Sequence, residues 1–337
     1  MKVVVFDADV LGRQRTGDET YARNLLRELG PLATSAGLRL VAVTRDQELV
    51  PAGVEAHELP ARSQELRMAW SLPRALRRLR ADLCHVQYAL PLRAPCPCAV
   101  TVHDVSFARG RELMGRKDRA VFRVVVPRAV RRAARVFTVS ERTKADLVEL
   151  YRVPAERIVV TPNGVDPAFS PGPGSHDYVL AVGAVQRRKN QLAALEAASE
   201  VGLPLVVVGP EKDPALAAEL RSGGAWLEGF VPIDRLAELY RGAACLVQSS
   251  RFEGFGLPVV EAMASGTPVV AVDDPALREV GASAAVLVPE DRLAEGVRTA
   301  LCERERLVAA GLERARAFSW RAAAERTLAV YREILGK

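Results

Sequence analysis

Two doubly wound, Rossmann-like α/β domains facing a central cleft are the fold class that the sequence predicts, on three observations. The chain has 337 residues, too many for one ordinary hydrophobic core and the natural length for two domains of about 150 to 170 residues each. Short Val/Ile/Leu runs alternate with amphipathic stretches of helical length along almost the whole chain, the pattern of βαβ units around a parallel sheet. The alternation breaks at the Pro/Gly-rich stretch Ser170-Pro171-Gly172-Pro173-Gly174-Ser175, which reads as a linker, and then restarts.

In the first half, apolar runs predict strands over residues 2–6, 39–44, 83–87, 99–102, 136–139 and 158–161. Amphipathic stretches predict helices over 19–29, 64–80, 116–134 and 141–151. A second set of strands is expected over 178–182, 205–208, 225–228, 245–248, 269–272 and 285–288. This sets the domains at 1–165 and 166–318, with a terminal helix over 319–337. Ligands of such sheets bind outside the carboxyl ends of the strands, so a cleft between the two domains is the expected site.

An apolar fraction of 49% beside 26% charged residues is that of a globular protein, far from the composition of disorder. The start, Met1-Lys2-Val3-Val4-Val5-Phe6-Asp7, meets an acid too soon for a signal peptide or a membrane span, and a cytoplasmic location is expected. Five scattered cysteines, Cys84, Cys96, Cys98, Cys245 and Cys302, do not suggest a disulfide framework or a metal site, and a structural role is expected for them. Charge is uneven, with a net +10 over residues 1–165 and −4 over 166–337. Within 62–135, 17 basic residues face 5 acidic ones, a patch suited to an anionic membrane, a phosphorylated acceptor or nucleic acid. The bland alternative is a solvated face in a chain with 41 arginines and 6 lysines.

The most informative segment runs from Ser249 to Gly266 and contains Glu253-Gly254-Phe255-Gly256-Leu257-Pro258-Val259-Val260-Glu261. It leaves a strand, passes through a glycine-containing loop and enters a helix whose proline sits near the first turn, where a missing N–H costs nothing. Amides around Phe255, Gly256 and Leu257 are thereby placed to receive an anion, with the helix dipole assisting, and a diphosphate suits them. Glu253 and Glu261 bracket that position and suit sugar hydroxyls rather than phosphate. A second loop, Gly183-Ala184-Val185-Gln186-Arg187-Arg188-Lys189-Asn190, brings cations to the same strand edge. In the first half, His103-Asp104 follows a strand, and Gly12 to Gly17 form a turn where backbone can approach a ligand.

These motifs, in this order, resemble the retaining family 4 glycosyltransferases of the GT-B fold. The similarity rests on Glu253-x7-Glu261, the Gly183 loop with Arg187-Arg188-Lys189-Asn190, the pair at His103, the segment from Val139, Pro162 to Asp166, and Phe318-Ser319-Trp320, and it spans nearly the entire chain. The resemblance implies that Glu261 binds the nucleotide ribose and that Glu253 contacts hydroxyls of the donor sugar. Phe255, Gly256 and Leu257 would supply amides to sugar and diphosphate, and Lys189 with Arg188 would hold the diphosphate. It further implies His103 near the donor C6 hydroxyl, Gly17 near the diphosphate or acceptor, Gly229-Phe230-Val231 beside the nucleobase, and a final helix returning to the first domain. His103, Lys189 and Glu253 are the catalytic candidates. One departure is Ala184, where many relatives carry a diphosphate-binding arginine, and Arg187 or Arg188 is expected to substitute.

The implied reaction moves a hexose from a nucleoside-diphosphate sugar to a glycan or lipid-linked acceptor with retention. GDP-mannose is favoured over UDP- or ADP-sugars, no metal or other cofactor is required, and nucleic acid is not a partner. The basic patch is expected to dock the protein on the inner face of the plasma membrane. Asp7-Ala8-Asp9 imitates the metal-binding DxD of GT-A transferases but reads as a strand-end pair. No G-x-G-x-x-G or P-loop pattern supports a dehydrogenase or nucleotide triphosphatase. Other chemistry on a nucleotide sugar, by an epimerase or a phosphorylase, is the competing enzymatic reading. A non-catalytic protein binding sugar or nucleic acid is the other alternative.

Overall fold

The computed structural model describes residues 1–13, 16–60, 63–110 and 115–336. They form two compact units: one takes in Met1–Ala108, Gly115–Gly164 and the final helix Trp320–Ile334, and the other is built on Val165–Ser319.

The first unit holds seven strands, β1 (Lys2–Asp7), β2 (Leu38–Thr44), β3 (Glu55–Glu58), β4 (Leu83–Gln87), β5 (Cys98–Val102), β6 (Arg135–Thr138) and β7 (Ile158–Val160). All pairings are parallel, in the order β3-β2-β1-β4-β5-β6-β7. The order reverses between β1 and β4, the switch point at which sheets of this kind open a crevice. Buried apolar side chains fill the sheet on both faces, as a parallel sheet covered by helices requires.

The second unit has six parallel strands, β8 (Tyr178–Val182), β9 (Leu205–Val208), β10 (Trp226–Gly229), β11 (Ala243–Gln248), β12 (Val269–Val272) and β13 (Val286–Val288). Their order is β10-β9-β8-β11-β12-β13, with the switch point between β8 and β11. Two doubly wound parallel sheets are thus present, and their strands fall where the apolar runs predict them, with one addition. β3, Glu-Ala-His-Glu, shows no alternating or continuous apolar pattern and escapes a reading based on hydrophobicity. It exists because β2 supplies a partner in register from Val41↔Glu55 to Thr44↔Glu58, and its charges suit an exposed sheet edge.

The helices of the first unit differ most in two places, beside a short unexpected one over Ser106–Arg109. The first spans Thr16–Ser35 and runs through Pro31, well beyond the expected 19–29. The region expected as one helix over 64–80 is a helical run that changes pitch at a π turn, Arg67–Ser71, and ends at Arg78. The wider turn accompanies a wholly buried arginine. Arg67 forks onto Asp7, with Nη1 donating to Oδ2 at 2.8 Å and Nη2 to Oδ1 at 2.6 Å. Asp9 accepts from Arg45 Nε at 2.7 Å and from Arg13 Nη1 at 2.8 Å. The strand-end acids are therefore enclosed by guanidinium groups, which also removes Arg67 from the basic surface to which composition assigned it.

The final helix belongs to the first unit's core. Tyr331 Oη and His85 Nδ1 share a hydrogen bond of 2.5 Å, His85 Nε2 and Thr101 Oγ1 another of 2.7 Å, and Thr101 meets Tyr21 Oη at 2.9 Å. Burial depresses the His85 pKa to about 3, so its ring is neutral in this chain of bonds. Among the described residues, no helix is long and apolar enough to cross a membrane.

Candidate active site

In the second unit the two loops singled out in the sequence leave β8 and β11, the strands flanking the switch point. Gly183, at φ +144°, leaves β8, and a Cβ there would stand 3.2 Å from Lys189 Cε, so the glycine makes room for the lysine stem. The chain then forms a 3-10 turn over Arg187–Lys189 and reaches Asn190 in the left-handed region before the next helix. The loop after β11 is tied to this turn: Ser249 Oγ donates to the Lys189 carbonyl at 2.9 Å, and the Arg251 amide to the Arg188 carbonyl at 3.0 Å. The helix Leu257–Ala264 begins at Gly256, φ +104°, where a Cβ would clash with Leu277 at 2.7 Å. Pro258 lies in its first turn, and among the described residues no side chain caps it, so its leading amides carry the field of the helix terminus.

The carboxylates occupy different environments. Glu253 is buried, and its Oε1 accepts from Lys189 Nζ at 2.5 Å and from Gln248 Nε2 at 2.6 Å. Burial pushes its pKa up, but Lys189 and Arg188 beside it outweigh that and hold it below the ordinary carboxylate value. Glu261, equally buried, has no cation in that role among the described residues. Burial raises its pKa to about 7, against the lowering effect of the Tyr240 hydroxyl, which donates to Oε2 at 2.8 Å, and Asp166 adds to the rise. One acid is held charged while the other is poised to titrate near neutrality.

The two arginines proposed for the place of Ala184 part company. Arg187 is 72% exposed and 3.7 Å from Asp213, outside the cluster. Arg188 is 16% exposed, donates from Nη1 to the Phe252 carbonyl at 2.7 Å and stands 3.8 Å from Glu253 Oε2. Ala184 is itself buried, and its carbonyl accepts from Gln191. Phe255 packs its ring edge-on against Phe318 at 5.6 Å, so any contact it makes with a ligand is through its backbone. Gly229, at φ +70°, ends β10, and Phe230 beyond it is exposed, with Val231 half-buried. Gln248 and Tyr240 are additions that sequence reasoning missed; each is a polar side chain whose link to a motif glutamate exists only in three dimensions.

In the first unit, His103 follows β5 and is buried. It donates from Nε2 to Gln87 Oε1 at 2.8 Å, and its carbonyl accepts from Thr143 Oγ1 at 3.1 Å. Burial lowers its pKa, against the opposing effect of Asp18 and Asp104. Asp18 is 4.0 Å from the ring nitrogen, which brings the neighbouring Gly17, in the first turn of the helix after β1, to the same part of the sheet edge. Gln14 and Arg15 of the glycine turn lie outside the described residues.

Comparison with known proteins bears on this arrangement. The family model "Glycosyltransferase Family 4" matches residues 16–169, and "Glycosyl transferases group 1" matches 166–316. The chain is 28% identical to O-antigen chain mannosyltransferase B of Escherichia coli over 87% of its own length and 83% of the relative's. It is 31% identical to D-inositol 3-phosphate glycosyltransferase 1 of Catenulispora acidiphila, covering 71% of this chain and 67% of that one. Among solved structures, sucrose-phosphate synthase from Thermosynechococcus elongatus superposes with a TM-score of 0.81 at 18% identity over 100% of both chains. Anabaena HepE in complex with UDP and glucose gives 0.75 at 17% identity, covering 98% of this chain and 99% of that one.

Proposed function

The chain belongs to the Family 4, group 1 glycosyltransferases of the GT-B fold and is a nucleotide-sugar-dependent hexosyltransferase, and from that premise we propose that it transfers mannose from GDP-mannose with retention and without a metal. The acceptor in this reading is a glycan or a lipid-linked sugar. The observation that carries it is the convergence, at one switch point, of Lys189, Arg188 and the amides of Gly256 and Leu257 beside two buried carboxylates. Cations and helix amides suit a diphosphate, while Glu253 and Glu261 suit sugar and ribose hydroxyls. Backbone of Phe255 contributes to the same anion site, and Gly229, Phe230 and Val231 flank the base. His103 and Gly17 serve the first unit's share of the reaction. The name of the Escherichia coli relative, O-antigen chain mannosyltransferase B, supports mannose as the transferred sugar.

Departure of the diphosphate builds negative charge that fixed positive groups stabilise, and its leaving oxygen is the base for the acceptor hydroxyl on the same face of the sugar. The test is turnover of a panel of GDP-, UDP- and ADP-sugars with EDTA present throughout, with the product's anomeric proton followed by NMR. GDP-mannose is expected to turn over fastest and to give the retained anomer first. Inverted first product, or activity abolished by EDTA and rescued by Mg²⁺ or Mn²⁺, would overturn the mechanism.

A lipid-linked acceptor is favoured by a surface of the first unit. Leu66 and Trp70 on the run that ends at Arg78, Leu92, and Val121 and Val124 on the helix Arg116–Arg132 are all exposed. The Leu92 amide donates to Met68, and Lys117 lies within electrostatic reach of Glu65, which bring these segments together. Exposed Arg74, Arg77, Arg78, Arg93, Arg116 and Arg123 are interleaved with the apolar side chains. Arg62, Arg111 and Glu112 of the basic segment lie outside the described residues. Apolar side chains among arginines suit the headgroup region of an anionic bilayer at the inner face of the plasma membrane, where each basic residue adds about 1 kcal/mol. Flotation with phosphatidylglycerol vesicles at low salt is expected to carry the protein, and Trp70→Ala to weaken binding. Absence of binding would leave the patch a solvated face.

A further inference from the structure

We propose that Gln248 is a positioning residue for the donor sugar, holding Glu253 in place for the sugar hydroxyls while Lys189 engages the diphosphate. The inference rests on the donor-site reading above and adds a residue that no sequence motif marks.

Glu253 Oε1 accepts two hydrogen bonds, from Lys189 Nζ at 2.5 Å and from Gln248 Nε2 at 2.6 Å. The two donors differ in what a diphosphate does to them. Lys189 is a flexible cation, 13% exposed, and an arriving diphosphate competes with Glu253 for it. Gln248 is neutral, so a diphosphate attracts it far less than it attracts the lysine, and it is rigidly based. It is the last residue of β11, paired with Ala271 of β12, and is buried, and its Nε2 also donates to Ser250 Oγ at 3.0 Å. An ionised carboxylate only accepts, so the amide nitrogen must face it, and the orientation of Gln248 is set by chemistry rather than by choice. When Lys189 shifts its bonds toward phosphate, Gln248 keeps Oε1 anchored and leaves the rest of the carboxylate directed at the sugar. In this division of labour the lysine serves the leaving group and the glutamine keeps the glutamate aligned.

The experiment is titration calorimetry of the full chain and its Gln248→Met variant with GDP and with GDP-mannose, or with whichever nucleotide sugar the enzyme turns over and its nucleoside diphosphate. Methionine keeps the length and loses the donor. GDP-mannose affinity is expected to fall about tenfold, the scale of one hydrogen bond to a charged group, while GDP affinity stays within about twofold. In a Glu253→Gln background the same substitution should no longer change the ratio of the two affinities, because the partner it orients is already altered. If Gln248→Met does not fold, Gln248→Asn, which shortens the reach of the amide, should give the same split. Equal weakening of both ligands, or an unchanged ratio, would overturn the inference alone. Absence of nucleotide binding by the unsubstituted chain would overturn the donor-site reading and this inference with it.

Discussion

Replacing Lys189 by Ala is expected to lower kcat/KM by about 10²-fold or more, the scale found when one preorganised stabiliser of developing charge is removed. Lys189 is partly buried beside Glu253, and its stem runs through the space left by Gly183. Its ammonium is thus held at the carboxyl edge of β8 before any ligand arrives, beside the carboxylate it exchanges for phosphate when the diphosphate binds. The lysine also holds the neighbouring carboxylate ionised, so its loss removes the main group opposing the burial of Glu253, whose pKa then rises. Arg188 remains in the variant, but part of its hydrogen bonding is spent on the Phe252 carbonyl. Steady-state kinetics with saturating acceptor and varied donor decide the matter. Wild-type kcat/KM in Lys189→Ala would show that the cation is not where leaving-group charge develops.

The Arg67→Ala variant is expected to lose about 3–5 kcal/mol of first-unit stability, the cost of leaving a buried ionic partner uncompensated. Arg67 has no solvent exposure, and its two Nη atoms reach both oxygens of Asp7. Without it, Asp7 faces the interior with no cation in fork geometry, and Arg45 and Arg13 are engaged by Asp9. A cavity of guanidinium size adds to the cost. Because the chain has two compact units, one melting temperature does not describe it, and hydrogen exchange along Lys2–Asp7 is the better measurement. Unchanged protection of that strand in Arg67→Ala would refute the role given to the pair.

Arg67 also shows where sequence reasoning stops. It sits in a segment rich in arginines that composition assigns to the surface, and the packing of the π turn against β1 reveals it as held inside. The doubly wound fold itself was legible because strands such as β8, β9 and β12 are apolar at nearly every position, as burial on both faces demands. β3 was not, because its pairing depends on a neighbour rather than on its own residues. Within the candidate site, the loops carrying Lys189 and Glu253 were legible as strand-to-helix junctions with glycine and proline in telling places. Gln248 and Tyr240 were not, since a glutamine ending a strand and a tyrosine inside a helix are ordinary until their partners are seen. The choice of Arg188 over Arg187 as the inward-facing arginine likewise depends on the 3-10 turn, which adjacent identical residues cannot disclose.

The tie between Tyr331 and His85 also bears on how the protein comes into being. Domains emerging from the ribosome ordinarily fold in the order of synthesis, the amino-terminal one first. Here β1 to β7 leave the tunnel early, yet the side chain that satisfies buried His85 is made after the whole of the second unit. Trp320, whose ring meets Tyr21 edge-on at 6.2 Å, arrives equally late. The second unit has all its strands before the first can close its polar interior, so the nascent amino-terminal sheet waits in an incomplete state. The last helix is then the closing piece of the structure that began first, and a chain ending before residue 320 would carry the strands of both sheets yet lack the side chains that close the first unit's polar interior.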